Sequence, residues 1–554
     1  MNKVPRVLIV RTHQDAGLRV DRHGRPESAG DLEAALREAG ARLAPVAGEP
    51  PDRLRERPAG AQAIADIACY FAVHADADPG ELAGRLRAAD AIELAYVKPR
   101  LALPVLPAST VGPAPVAGPE PPGPPEDLRA RQGYLDAPPQ GIGAAAAWRR
   151  RGGRGEDVRI IDVEGDWRFT HEDLHHAPGG LIAGYPTGDV EPRNHGTNVL
   201  GMLGGVHNRR GVSGICPDAQ VRAVSYQPED RFGSAQAIKL AADVLRPGDI
   251  LLLEMMRPGP NTPGPGDPGY APDSQLGYIP VDYWPDDLTA IQYAVSQGVV
   301  VVEAAGNGAQ HLDDPVLAGE GPGFRAGRPN PFARGDLDSG AIVVGAGAPP
   351  PGTHGADYGP DRSRLDFSNW GTALDAQGWG REVTTTGGLG PGADTLRPGG
   401  FEDRWYTDRF CGTSSAAPMV AGALACVQGV LRAAGRAPLS PEQARAALRE
   451  TGSAQRPAAD GSLERIGSRP DIAQLTEWAM DVARPADEAQ PRRRRRGMRV
   501  TITIDDDDDG VTWRPTGIQP PYIKGPSLVL THEDGTQTHL DIEALKKAAE
   551  EKKS

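Results

Sequence analysis

Cysteine is scarce in this chain, with Cys69, Cys216, Cys411 and Cys426 the only four in 554 residues. They show neither the short paired spacing of a zinc site nor the density of a disulfide scaffold, which leaves a reducing, cytoplasmic location as the default expectation. Positive charge is in deficit. Lys and Arg total 60 against 74 Asp and Glu, a formal net charge of −14, so the chain lacks the basic footprint of nucleic-acid binding. Long apolar runs are missing from the reading too. The N-terminal "MNKVPRVLIVRTHQDAG" has only a short apolar stretch broken by Arg6 and Arg11, which is no secretory h-region. No segment reads as the roughly 20 apolar residues of a membrane span, and no internal repeat is evident. Export by a route that leaves no N-terminal signature stays open.

What is present is length enough for about three domains, with 70 Gly and 54 Pro. Residues 1–100 read as strand, helix, strand, strand, helix, strand: "VPRVLIVRT", "AGDLEAALREAGA", "RLAPV", "ADIACYFAVHA", "PGELAGRLRAADA" and "IELAYVKP". That order is the ferredoxin-like split βαβ arrangement. Residues 101–140 turn Pro-, Ala- and Gly-rich ("PAPVAGPEPPGPP") and read as a semi-rigid linker. Residues 141–484 alternate apolar strands ("VRIIDV", "VRAVSY", "DILLLEM", "GVVVVEAAG", "AIVVGAG") with helical segments. Near-continuous apolar strands belong to a mostly parallel, doubly wound α/β sheet covered on both faces. An Arg-rich linker, 485–497, leads to a small β-rich appendage, 498–554. Arg492 to Arg496 and Asp505 to Asp509 read as opposite charge runs in a solvated linker rather than as nucleic-acid or calcium sites.

Four residues carry candidate chemistry. Asp162 ends the strand "VRIID", His195 opens a small-residue helix in "NHGTNVLGMLGG", Asn307 lies between two glycines after "VVVVEAAG", and Ser414 stands at a helix start in "RFCGTSSAAPMVAGALA". Each alone has a structural reading: a strand-end cap, a satisfied histidine, a turn residue, a helix packed closely through small side chains. In the order Asp, His, Asn, Ser they are specific. A serine at a helix N-terminus also sits where backbone N–H groups and the helix dipole favour negative charge.

These segments resemble the subtilisin-like (S8) serine peptidases, in the aspartate motif "VRIIDVEGDWRFTHEDL", the histidine motif "HGTNVLG", the oxyanion asparagine in "AAGNG" and the serine motif "GTSSAAPMVAG", with "GVSGICPDAQVRAV" and "FSNWG" as further landmarks. The resemblance spans about residues 141–431 and implies a subtilisin-like fold and a serine endopeptidase acting on polypeptides. It implies Ser414 as nucleophile, His195 as general base, Asp162 as the acid that orients it, and Asn307 with the Ser414 N–H as oxyanion hole. Departures stand at Asn198, Ser415 and Met419, none of them a triad position. A larger departure is "ILLLEMMRPGP", where the family has a substrate-pairing edge beside the S1 pocket. Met255, Met256 and Arg257 therefore become candidate substrate contacts of unknown preference. Glu254 and Glu303 end two of the apolar strands and are candidates for the rim of the same site, or else strand-end carboxylates, solvated or capping local N–H groups; if they face each other in a dry site, the pair should share a proton.

By position and element order the first domain resembles the family's inhibitory propeptide, which implies a zymogen with the N-terminal domain as intramolecular inhibitor and "YVKPRLALP" lying along the cleft. An unrelated ferredoxin-like binding module is the alternative. Structural calcium is common in the family, but no ligand set can be placed here, so no cofactor or metal ligand is assigned. Two other functions remain in play: a processing protease dedicated to one intracellular partner, and a catalytically silent fold that binds peptides.

Overall fold

The computed structural model describes residues 7–103, 123 and 125–483, apart from short gaps at 15–17, 22–23, 28–29, 56–60, 175–179, 230–231, 320–323, 325–326, 389–395 and 398–401, together with 522–524, 527–531 and 537–541. The N-terminal domain follows the expected order: β1 (Val7–Thr12), α1 (Gly30–Glu38), β2 (Arg42–Pro45), α2 (Ala61–Ile67), β3 (Tyr70–His74), α3 (Pro79–Leu86) and β4 (Ile92–Lys98). Its antiparallel strands lie in the order β2-β3-β1-β4. One element departs from the reading. Part of "ADIACYFAVHA" is helix α2, whose Ile64 and Ile67 recur at helical spacing and are buried.

Period-two alternation makes this small sheet apolar on both faces. Leu8 and Val10 pack under α1 and α3 with Leu32, Leu36, Leu82 and Leu86. Ile9, Tyr70 and Tyr96 face the other way, and that face is completed by Ala237, Ile238, Ala241 and Ile291 of the following domain. The N-terminal domain therefore has a core of its own on one face of the sheet and shares a second with its neighbour on the other.

The larger domain is built on a parallel sheet of seven strands. These are β5 (Arg159–Glu164), β6 (Leu181–Ala183), β7 (Gln220–Ser225), β8 (Ile250–Leu253), β9 (Val300–Ala304), β10 (Ile342–Gly347) and β11 (Leu374–Trp379), in the order β11-β10-β9-β8-β5-β7-β6. Helices α4 (Val190–Gly204) and α7 (Thr413–Ala433) cover one face, α5 (Gly233–Val244) and α6 (Pro285–Ser296) the other. The small residues of α7 let it lie close: a Cβ on Gly422 would stand 2.7 Å from Ile215. With 21 residues, α7 is long and apolar enough to cross a membrane, contrary to the expectation that no segment is; its apolar stretch is buried in the protein.

The domain starts earlier than residue 141. Tyr134 and Leu135 are fully buried in its core, and Gln132 exchanges hydrogen bonds with Ser213 at 2.8 and 2.9 Å. Residues 125–140, read as linker, are part of the fold. In the C-terminal unit, Tyr522–Lys524, Ser527–Thr531 and Gln537–Asp541 form an antiparallel sheet. The expected strand "MRVTITI", the two charge runs and the terminal helix lie outside the described residues.

Candidate active site

Alternation along β5 sends Ile161 and Val163 to the α5–α6 face and Ile160, Asp162 and Glu164 to the face of α4 and α7. His195, in the second turn of α4, is 2% exposed. Its Nδ1 lies 2.5 Å from Glu164 Oε2, and its ring meets Phe410 edge to face with centroids 5.5 Å apart. Nε2, the opposite nitrogen, is buried without a hydrogen-bond partner.

The carboxylate at His195 is thus Glu164 and not Asp162, which instead accepts a hydrogen bond from Trp167 Nε1 at 2.7 Å. The reason is position along the strand. Asp162 and Glu164 share a face, but Glu164 is one pleat nearer the C-terminal strand end, where open α/β sheets place their clefts. That signal was available in "DVEGD". Burial raises both carboxyls well above the ordinary range, and it lowers the His195 imidazole to about 4.

Ser414 is the second residue of α7, which follows Gly412, whose φ of 105° no other residue adopts readily. Thr413 ties this turn to β9: its N–H and Oγ1 donate to Asn307 Oδ1 at 2.9 and 3.0 Å, and its Oγ1 accepts from the Gly306 N–H at 3.1 Å. Asn307 is held beside Ser414 with its amide nitrogen left to donate elsewhere. Here it donates to Gln275 Oε1 at 3.0 Å.

The four candidate substrate residues after β8 divide differently from expectation. Met256 uses its backbone, exchanging both hydrogen bonds with Ala102 at 2.9 Å in an antiparallel bridge. Met255 is fully buried in the core on the α5–α6 side. Arg257 is 1% exposed and spent internally, donating to Glu229 Oε1 at 2.6 Å and Ser234 Oγ at 2.9 Å. Glu254 and Glu303 do not form a rim. Both are fully buried, and register pairs Glu303 with Leu253, so Glu254, one residue on, projects to the opposite face. Glu303 Oε1 accepts from the Val281 N–H at 2.9 Å, under α6. Glu254 lies beside Asp162 and Glu164, and neither of its oxygens has a hydrogen-bond partner.

The family model for the Subtilase family matches residues 183–468. The chain is a subtilase. Subtilisin E of Bacillus subtilis (strain 168) is 24% identical to this subtilase over 297 residues, 53% of this chain and 62% of that one. The thermophilic serine proteinase of Bacillus sp. (strain AK1) is 30% identical over 188 residues, 32% and 39% of the two chains. Fervidolysin from Fervidobacterium pennivorans, a keratinolytic enzyme related to subtilisin, superposes with a TM-score of 0.50 at 17% identity, covering 85% of this chain and 60% of that one; at this identity the likeness speaks for fold. This subtilase spans less than two thirds of the length of each of these relatives.

The end of the N-terminal domain runs along the segment that follows β8. Tyr96 OH donates to Asp286 Oδ1 at 2.7 Å, and Lys98 Nζ lies 2.6 Å from Asp286 Oδ2 and 2.7 Å from Asp287 Oδ2. Arg257 donates to the Pro99 carbonyl, and the Leu101 N–H donates to Glu229 Oε1 at 3.1 Å. After the Ala102 bridge, the Leu103 carbonyl accepts from Gln275 Nε2 at 2.8 Å. Gln275 therefore links the N-terminal segment to Asn307. Among the described residues no group of three or more His, Cys, Asp and Glu is arranged to hold a metal ion.

Proposed function

We propose that this subtilase is a serine endopeptidase, with Ser414 as nucleophile, His195 as general base and Glu164 as the acid that orients it, held inactive by its own N-terminal domain. The observation that carries the reading is the histidine. It is anchored at Nδ1 by a buried carboxyl, unpaired at Nε2, and lowered to about 4, so that it remains a neutral base above that pH. Ser414 Oγ attacks the scissile carbonyl as its proton passes to Nε2. Glu164 stabilises the imidazolium, which returns that proton to the leaving amine, and water then completes hydrolysis by the reverse sequence. The Asn307 side-chain N–H and the Ser414 N–H receive the oxyanion.

Inhibition is supported by the route of residues 96–103. They occupy the edge that a substrate would use for strand addition, and Gln275 Oε1 takes the donor meant for the oxyanion. The reading as a protease dedicated to one partner draws on the same edge, because Arg257 is enclosed and offers no general pocket wall.

A fluorophosphonate probe tests the activity. The wild type is expected to label at Ser414 and to be cut within or near residues 96–140, while Ser414→Ala neither labels nor is cut. Absence of Ser414-dependent labelling once the N-terminal fragment has been cut off ahead of residue 125 would overturn the peptidase reading. Gln275→Ala removes one hydrogen bond from the closed state, about 1 kcal/mol, and should speed labelling of the full-length band about five- to tenfold. An unchanged rate would return Gln275 to loop structure.

A further inference from the structure

The four oxygens of Asp162 and Glu164 have unequal partners. Asp162 Oδ2 takes the Trp167 indole N–H and Glu164 Oε2 faces His195 Nδ1. The remaining two, Asp162 Oδ1 and Glu164 Oε1, are buried and receive no N–H or O–H from any other residue. The two side chains are within hydrogen-bonding reach of each other. Two carboxylate oxygens only accept, so such a contact requires a proton between them. The ionisable surroundings favour keeping it. Glu254 adds a third buried carboxyl from the end of β8, Asp166 follows in the turn after β5, Glu191 lies on α4, and the one partner able to carry positive charge is His195. Among the described residues no Lys or Arg pairs with Asp162, Glu164 or Glu254.

We propose that Asp162 is a neutral carboxylic acid donating a hydrogen bond to the Glu164 carboxylate, so that the catalytic unit is a chain of four, Ser414, His195, Glu164 and Asp162, with one more proton than a triad. This rests on the peptidase reading above. Placing the charge on Glu164 sets it against His195 Nδ1, 2.5 Å away, whereas Asp162 faces the Trp167 indole, so Asp162 is the donor. Trp167 fixes Asp162, Asp162 fixes Glu164, and Glu164 fixes the tautomer of His195. Asp162 touches no reacting atom and is a positioning residue. Its proton stays in place through acylation, when the Ser414 proton alone moves to His195 Nε2. Charge behind the histidine is thereby limited to the single carboxylate of Glu164 in a dry site that disfavours a second.

Asparagine at position 162 is the discriminating variant, because its amide reproduces the neutral acid: Nδ2 donates to Glu164 Oε1 while Oδ1 accepts from Trp167. Asp162→Asn is expected to keep kcat within about tenfold of wild type, against the roughly 10⁴-fold loss when an ionised triad aspartate is amidated. Asp162→Ala, which leaves Glu164 unheld, should lose about 10²-fold in kcat with little change in KM. The wild-type alkaline limb, where Asp162 gives up its proton, should be missing in Asp162→Asn. A loss in Asp162→Asn of the size expected for an ionised acid, or equal activities and pH profiles in the Asn and Ala variants, would overturn the proposal. Infrared spectroscopy of full-length Ser414→Ala gives a readout independent of activity. It should show a protonated-carboxyl stretch at neutral pH that weakens when Asp162→Asn is added. An unaltered band overturns the neutral acid even if the chain proves to have no peptidase activity, whereas failure of Ser414 labelling bears on the peptidase reading alone.

Discussion

Glu164→Gln will lower kcat of the processed enzyme by about 10⁴-fold with KM nearly unchanged, the size of effect seen when a triad acid becomes an amide. His195 Nδ1 and Glu164 Oε2 are 2.5 Å apart and sealed from water, and in the proposed mechanism the imidazole donates its Nδ1–H to a Glu164 carboxylate. Glutamine at this position has two orientations. With its NH₂ toward Nδ1 it drives the ring into the tautomer whose Nε2 carries hydrogen and cannot take the serine proton. With its oxygen there, the neutral amide stabilises the imidazolium far less than a buried charge does. Adding His195→Ala to Glu164→Gln should cost little more, as expected of groups acting as a unit. Steady-state kinetics on a peptide substrate checks this, with thermal unfolding to confirm the fold. Activity within tenfold of wild type in Glu164→Gln would move the orienting role back to Asp162.

The architecture was legible because its cause is local. Apolar strands separated by helical segments require a covered parallel sheet, and "IELAYVKP" reads as the largely apolar strand β4 that the structure shows. The positions of His195, Asn307 and Ser414 were legible because all three lie at or near element ends that small residues mark. The carboxyl that meets His195 was not, because "IIDVEGD" offers three carboxylates and motif matching chooses among them by letter, while the contact in the fold is decided by distance along the pleat. Glu254 and Glu303 show the same limit from the other side. Both end strands in the sequence, yet a one-residue difference in register places them on opposite faces of the sheet. Arg257 reads as a charged wall of the substrate site until Glu229, Ser234 and Asp287 enclose it, and those partners lie about 20 to 30 residues away in the chain, beyond any local pattern. The early entry of residues 125–140 into the core was missed because the Pro-, Ala- and Gly-rich composition of the stretch marked it as linker, and the end of helix α2 was missed because "ADIACYFAVHA" reads as one apolar run in which helix and strand are not separated.

Lys98→Met will loosen the grip of the N-terminal domain on the following domain by about 10²–10⁴-fold. Lys98 is 3% exposed at the end of β4, and its ammonium is shared between Asp286 and Asp287 at the start of α6. A helix N-terminus already favours those two acids, but they are also buried side by side, and burial raises Asp287 above its ordinary range. The lysine neutralises both. Replacing it with an isosteric apolar chain keeps the packing and leaves two buried carboxylates without their cation, which for buried pairs costs about 3–5 kcal/mol. Tyr96 OH still donates to Asp286, so β4 keeps its register while the affinity falls. After cleavage in the linker, the cut N-terminal fragment of Lys98→Met should separate from the peptidase domain on a sizing column at concentrations where the wild-type fragment co-elutes, and peptide hydrolysis should appear correspondingly earlier. A charge-removing background separates this from general misfolding. Asp286→Asn with Asp287→Asn removes the acids that need the cation, and in that background Lys98→Met should cost little. Equal loosening by Lys98→Met in both backgrounds would show that the lysine contributes packing alone.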